Sequence, residues 1–201
     1  MTRIILNSLL SLLLLSAQLC AANSIRVEDT FAKKVDYLYQ HLPEVQKLKT
    51  SKEAAYKQAI GQVLDEEVDV QRMSRGIMGS YFNQSSVTQR KAFYQKLRND
   101  FIEYCAAGLS RINFKTFSKP SVIADNSKNA VKLEFQRHSG GRVPVLVSLT
   151  PTTATKKTQV VNVVVAGMNV GVMLQHQFSA AVFFAGGNID DVIKNWRPIT
   201  L

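Results

Sequence analysis

Side chains that could act as nucleophiles, general bases or metal ligands are few in this sequence and widely spaced. The three histidines, His41, His138 and His176, lie far apart along the chain. His41 precedes a proline and His138 adjoins a Gly-Gly turn, so we expect both on the solvated surface. No serine lies in a nucleophile elbow, and no glycine-rich loop is followed by Lys-Ser or Lys-Thr. Hydrolases with a serine nucleophile elbow and enzymes with a P-loop for nucleotides are therefore disfavoured.

The densest group of possible metal ligands is the acidic run at 65–69. It lacks the alternate spacing and the closing glutamate of a calcium loop, so we interpret it as a solvated segment between helices. The two cysteines cannot form a disulfide scaffold or a zinc site. Cys105 lies near Phe101 and Tyr104 at helical spacing, which predicts a buried apolar role for it. We expect no metal and no cofactor.

The N-terminus has the pattern of a secretory signal. Arg3 precedes an apolar stretch at 4–15, and the small residues Cys20 to Ala22 follow. The stretch is shorter than the ~20 residues that span a bilayer, and cleavage after Ala22 fits a small-x-small site. An uncleaved anchor is the alternative. We predict a signal peptide at 1–22 and one mature domain at 23–201.

Length and charge set the possible partners. The chain has 201 residues, 46% of them apolar, and a net charge of +10, which excludes wholesale disorder. Such a charge suggests nucleic acid, an anionic membrane or an acidic partner. Export makes nucleic acid an improbable partner. The charge is also uneven, because residues 106–201 carry 11 basic and 4 acidic side chains, a net +7.

The first half of the chain has helical periodicity. Capping boxes are predicted at Thr50–Glu53 and Ser86–Gln89, and Asp69 is a predicted cap between them. The second box opens a long helix whose apolar stripe runs from Phe93 to Ile112.

The second half alternates with a period of two. Strands are predicted around Val131–Phe135, Val143–Leu149 and Val160–Val165, with a shorter one at 120–124. The nearly continuous apolar run Val160–Val165 predicts a strand covered on both faces. Two helices follow, the second capped by Asn188. The fold class is α+β in one domain, with N-terminal helices, about four to five antiparallel strands and two C-terminal helices.

Apolar residues are in excess after the last long strand. The pair Phe183-Phe184 cannot lie entirely within one narrow helical stripe. A curved sheet covered by long helices can enclose a ligand cavity, although on composition alone a filled core is the better explanation.

Several short motifs together resemble the MlaC family, also called toluene-tolerance proteins. Residues 69–82 resemble its stretch of Asp, Met, Leu-Gly and an aromatic pair, and Ser86 to Gln89 match its next helix start. Residues 163–167, Gln177-Phe178 and residues 187–193 resemble its C-terminal motifs, so the resemblance covers about 28–196. Asn162 stands where the family usually has Asp, and Leu174-Gln175 where it often has Tyr-Arg.

The resemblance implies a periplasmic carrier with an NTF2-like cone. Such a carrier buries the acyl chains of a phospholipid in an apolar cavity and needs no catalytic residue. It moves lipid between an outer-membrane lipoprotein-porin complex and an inner-membrane ABC transporter complex with its substrate-binding component, and so maintains outer-membrane lipid asymmetry. The positive second half then suits steering to anionic surfaces or acidic partner faces.

The predicted cavity lining follows from this interpretation. The candidates share an apolar side chain on the inward stripe of a helix or strand: Met73, Ile77, Phe101, Tyr104, Leu133, Phe135, Val145, Val147, Val161, Val163, Val165, Phe178 and Phe183. Alternatives are a carrier of another apolar cargo such as a hopanoid, an NTF2-like enzyme using Tyr104, and an interaction adaptor with a filled core.

Overall fold

The computed structural model describes residues 32–37, 40–41, 52–111, 121–124, 130–151 and 158–198. Residues 32–37 and 40–41 are helical. Four further helices come before the sheet: α1 (Glu53–Glu67), α2 (Val70–Met78), α3 (Tyr81–Gln84) and α4 (Val87–Arg111). The strands are β1 (Ser121–Ala124), β2 (Ala130–Gln136), β3 (Arg142–Pro151), β4 (Thr158–Val165) and β5 (Met168–Asn169). Two helices follow, α5 (Val170–Phe184) and α6 (Ile189–Asn195). The predicted α+β order is confirmed.

Side-chain caps begin several of these helices. At α4, the Ser86 N–H donates to Gln89 Oε1 at 2.8 Å and the Gln89 N–H donates to Ser86 Oγ at 3.1 Å, which confirms this capping box. Asp69 accepts from the Arg72 N–H at 2.8 Å to cap α2. The predicted Thr50–Glu53 box is wrong as the start of α1: Lys52 is the N-cap and makes no side-chain cap bond. Thr50 itself lies outside the described residues.

The five strands form one antiparallel sheet in the order β1-β2-β3-β4-β5. Leu133 pairs with Val145, and Val147 with Val163. Because strand side chains alternate between faces, this register brings the apolar positions of β2, β3 and β4 to one side of the sheet.

Strand β4 differs from its prediction in how it is covered. All eight of its residues are half-buried, so a strand fully covered on both faces is wrong. Ser148 pairs with Asn162 but Leu149 pairs with Val160, which makes Val161 the extra residue of a bulge. Among the described elements, the helices contact the sheet mainly through this strand.

The helices fill a core of their own. Phe178 is fully buried, with its ring 4.8 Å from that of Phe93 and 5.6 Å from that of Trp196. A separate apolar cluster belongs to the sheet and contains Val131 and Val147. In the part of the chain that the structure describes, the helical cluster includes no strand residue. The two layers therefore do not share one filled core.

Two further observations concern the described helices. Cys105 is exposed on α4, so its predicted buried position is wrong. No helix within the described ranges is both long enough and apolar enough to span a bilayer.

Candidate functional site

One side of the sheet carries a continuous set of apolar side chains outside the helical core, called here the apolar sheet face. The register places these residues on it: Val131, Leu133, Phe135, Val143, Val145, Val147, Val163 and Val165. Leu149 and Val160 continue it beyond the bulge. At the described N-terminal helix, Val35 packs against it.

Cover over the apolar sheet face is unequal along its length. Val131 is 0% exposed and its partner Val147 is 5% exposed. Phe135 and Val143, paired at the other end beside the β2–β3 turn, are only half-buried. The apolar sheet face is therefore closed at one end and accessible towards the turn, as an entrance for an apolar ligand requires.

A cleft of about 210 Å³ lies where α2 and α5 meet β4. Met73 and Ile77 line it from α2, Val161 from β4 and Val172 from α5. This volume is below the ~300 Å³ at which ligand pockets usually begin. The cleft alone cannot enclose long acyl chains, so the apolar sheet face must supply most of any apolar contact.

A larger hollow of about 620 Å³ lies between α1 and α4, but its walls are polar. Lys57, Arg98 and Glu103 line it, and Lys57 forms an ion pair with Glu103 at 2.9 Å. If volume were the only criterion, this hollow would be the candidate site. We place the candidate site at the apolar sheet face instead, because buried charges are costly beside an apolar ligand.

Asn162 joins β4 to the start of α5 at the edge of the 210 Å³ cleft. Its Oδ1 accepts from the Gly171 N–H at 3.0 Å, and its Nδ2 donates to Asn169 Oδ1 at 3.0 Å. Asn169 Oδ1 also accepts from the Val172 N–H at 3.0 Å and so caps α5. This amide sets the position of α5 relative to the sheet, a role that the sequence pattern did not indicate.

The predicted lining residues fall into three groups. Six lie together on the apolar sheet face: Leu133, Phe135, Val145, Val147, Val163 and Val165. Three line the cleft: Met73, Ile77 and Val161. Four lie elsewhere: Phe101, Tyr104, Phe178 and Phe183. Strand alternation could also have identified Val131 and Val143, which the prediction omitted.

The four residues that lie elsewhere have other environments. Phe101 packs against the helical core, and Phe178 is fully buried within it. Phe183 is 76% exposed on the outside of α5. The Tyr104 hydroxyl donates to the Pro198 carbonyl at 3.1 Å, and burial, followed by the nearby Asp100 carboxylate, raises the pKa of the phenol. The proposed lining below leaves these four out.

The polar groups considered in the sequence have structural partners. Asp65 accepts two 2.6 Å hydrogen bonds from Arg98, and Lys34 pairs with Glu67, so the acidic run is more than a solvated segment. His41 is half-buried, with its Nδ1 2.8 Å from the Tyr37 carbonyl oxygen and its ring stacked on the Tyr37 ring. His138 is exposed as predicted. Across the described residues, no cluster of three or more His, Cys, Asp or Glu could hold a metal ion.

Comparison with known proteins now decides the family. The family model described as MlaC protein matches residues 32–198. This chain belongs to the MlaC family. The match includes the apolar sheet face, the cleft and both C-terminal helices, and it confirms the resemblance seen in the short sequence motifs.

Two relatives extend this family assignment. The toluene tolerance protein ttg2D of Pseudomonas putida is 26% identical over 144 residues, which cover 71% of this chain and 66% of that protein. A phospholipid-binding protein from Ralstonia solanacearum, solved in complex with a phospholipid, is similar in structure with a TM-score of 0.60 and 15% identity. That likeness covers 83% of this chain and 92% of the other. At this identity the likeness shows the fold alone.

Proposed function

We propose that this MlaC-family protein is a periplasmic phospholipid carrier that buries acyl chains against the apolar sheet face. The observation that carries the proposal is the separation of the two apolar clusters: the helices pack around Phe178 while the sheet keeps half-buried valines along β4. The phospholipid in the Ralstonia structure supports the choice of cargo.

The energetics require a container but no chemistry. Exposing an acyl chain to water costs about 0.8 kcal/mol per methylene, so a free two-chain lipid cannot cross an aqueous space at a useful rate. Transfer from bilayer to protein exchanges one apolar environment for another and has little net driving force. The direction of transport must therefore come from partners, and the carrier itself needs neither a catalytic residue nor a cofactor.

The proposed route follows from this role. The signal peptide at 1–22 is removed near Ala22 and the mature protein acts in the periplasm. It exchanges phospholipid with an outer-membrane lipoprotein-porin complex and with an inner-membrane ABC transporter complex, through that complex's substrate-binding component. Moving misplaced phospholipid in this way maintains outer-membrane lipid asymmetry.

The proposed lining has nine members. They are Leu133, Phe135, Val145, Val147, Val163 and Val165 on the apolar sheet face, with Met73, Ile77 and Val161 at the cleft. Met73 suits a wall that must change shape, because its thioether chain is unbranched and flexible.

Val163→Glu is the sharpest test of this lining. Val163 is half-buried, so its replacement can reach water in the empty protein but would meet acyl chains in the loaded one. Burying an ionised carboxylate in an apolar environment costs several kcal/mol, and about 1.4 kcal/mol already changes occupancy tenfold. We expect phospholipid per protein, measured by mass spectrometry of an organic extract, to fall at least about tenfold.

Two further variants separate lipid contact from folding. Val87→Glu makes the same replacement at a 79% exposed position in the first turn of α4, where a carboxylate is favourable, and should keep its lipid. Val147→Glu puts a charge at a 5% exposed site and should mainly destabilise the fold. A folded Val163→Glu protein with an unchanged lipid load would exclude Val163 from the lining.

A further inference from the structure

The outer side of α5 is an apolar surface without a partner in the described chain. Of the five large apolar side chains that are most exposed there, four lie between Met168 and Phe184. On α5 itself the exposed positions recur at helical spacing: Val172, His176, Ala180, Phe183 and Phe184. The opposite side packs Leu174, Phe178 and Val182 into the helical core.

The end of this stripe is aromatic and strongly exposed. Phe183 and Phe184 are 76% and 85% exposed, and their rings contact each other edge to face at 5.6 Å. Exposing two adjacent phenylalanine rings to water is unfavourable in free energy. Contiguous exposed apolar surface of this kind marks interaction sites.

The charge pattern around α5 is also unusual for so basic a protein. The chain has a net charge of +10, yet no Asp, Glu, Lys or Arg occurs between Lys157 and Asp190. Interface cores in protein complexes are depleted in charge and enriched in aromatic residues, and buried aromatic anchors supply much of their binding energy. The stripe on α5 has this composition.

The first charges beyond the stripe are acidic. Asp190 and Asp191 lie in the first turn of α6, which begins directly after the turn that ends α5. Helices that lie in an anionic membrane surface carry Lys and Arg beside their apolar face. At the aromatic end of the stripe the nearest charges in sequence have the opposite sign, and the basic Arg72 lies at the other end, beside Val172. A basic rim on a protein partner would complement Asp190 and Asp191.

A second copy of the chain is also a poor fit. Self-association would bring two strongly positive chains and two Asp190-Asp191 pairs together. The stripe from Val172 to Phe184 is only about 18 Å long, and a stable interface usually buries about 800 Å² on each partner. A small, charge-free aromatic surface suits brief docking.

We infer that the outer face of α5, anchored by Phe183 and Phe184, docks into an apolar groove with a basic rim on a protein that exchanges lipid with this carrier. The inference rests on the proposed function, but its two anchors, Phe183 and Phe184, are not part of the proposed lipid lining.

The test is a double variant, Phe183→Ser with Phe184→Ser, in the full chain exported by a bacterial host. Its lipid content is measured first. Its exchange of a fluorescent phospholipid with the purified inner-membrane ABC transporter complex of the same bacterium is then followed at low and high carrier concentration. We expect unchanged lipid content and at least tenfold slower exchange at low concentration, with recovery at high concentration because docking rather than lipid binding is impaired.

Matched variants and a vesicle assay identify the occupant. Val87→Ser, which is equally exposed on another helix, should exchange like the wild type, and Phe183→Leu with Phe184→Leu should restore docking. Normal exchange by the double serine variant would overturn the inference. So would wild-type flotation with phosphatidylglycerol–phosphatidylethanolamine vesicles that the variant loses, or a wild-type dimer that the variant loses in sedimentation. A lipid-free wild-type protein would instead contradict the proposed carrier function on which the inference rests.

Discussion

At the residue scale, Asn162 is the polar exception in an apolar strand. Its side chain holds the Gly171 N–H and the Asn169 side chain at 3.0 Å each. There is no room for a side chain at Gly171, because a Cβ atom there would lie 2.7 Å from Asn162 Oδ1. Asn162 and Gly171 therefore fix the approach of α5 to β4 together.

Replacing Asn162 should separate its accepting and donating roles. Asn162→Ala removes both hydrogen bonds and leaves the half-buried Gly171 N–H without its acceptor, so the free energy of unfolding should fall by about 1–3 kcal/mol. Asn162→Asp keeps an acceptor for the Gly171 N–H at a helix N-terminus, where a negative charge is favourable, but loses the donor to Asn169.

Urea unfolding of the three proteins provides the measurement. The aspartate variant should lie between the wild type and the alanine variant in stability. An alanine variant as stable as the wild type would show that this hydrogen-bond network does not hold α5 in place.

Sequence reasoning at this scale succeeded where a side chain acts on its own backbone neighbourhood. Asp69, Ser86 and Asn188 cap helices as predicted, because their partners lie three residues away. It failed for Asn162, whose partners lie seven and nine residues away across the turn into α5. It also failed for Tyr104, whose partner Pro198 lies 94 residues away and is brought close only by the fold.

At the element scale, α4 depends on a local start signal. The reciprocal hydrogen bonds between Ser86 and Gln89 satisfy two backbone N–H groups at the start of the helix. The helix they begin carries Phe93 and Leu97 into the helical core, where both are fully buried.

Ser86→Ala should lower the free energy of unfolding by about 1 kcal/mol. Thr88→Ala is the matched control, since Thr88 is exposed in the same first turn and alanine favours helix formation. Thermal unfolding followed by circular dichroism would show the difference, and equal loss in both variants would contradict a capping role for Ser86.

The apolar run in β4 predicts a strand but does not predict which of its faces are buried. The run Val160–Val165 predicts a strand, and the strand exists. A run without alternation cannot tell which faces are covered, because that depends on where the helices pack. Here the helices pack chiefly on one another around Phe178, so β4 stays half-buried throughout. The same packing buries Phe178 in the helical core and leaves Phe183 on the exposed side of α5, so neither is in the proposed lining.

At the scale of the whole molecule, charge and apolar surface are distributed unequally. Residues 106–201 carry a net +7, yet α5 within that half contains no Asp, Glu, Lys or Arg. We propose that long-range attraction and close docking belong to different parts of the same half, with the positive field guiding approach and the outer face of α5 making the contact.

Lipid exchange should then depend on ionic strength. Raising the salt from about 10 mM to about 150 mM shortens the screening length from about 30 Å to about 8 Å. We expect exchange with the purified inner-membrane complex to slow by about tenfold, within the range of electrostatic steering, while lipid content stays constant. An exchange rate independent of salt would remove the steering role from the positive half.

The central claim is that the apolar sheet face holds phospholipid, and the lipid content of the purified wild-type protein tests it most directly. The mature protein is isolated from the periplasm of a bacterial host without detergent, extracted with organic solvent, and its lipid is identified by mass spectrometry and quantified against protein. We predict phospholipid in stoichiometric amount. A folded protein whose extract contains no phospholipid, or contains a hopanoid in its place, would contradict the account.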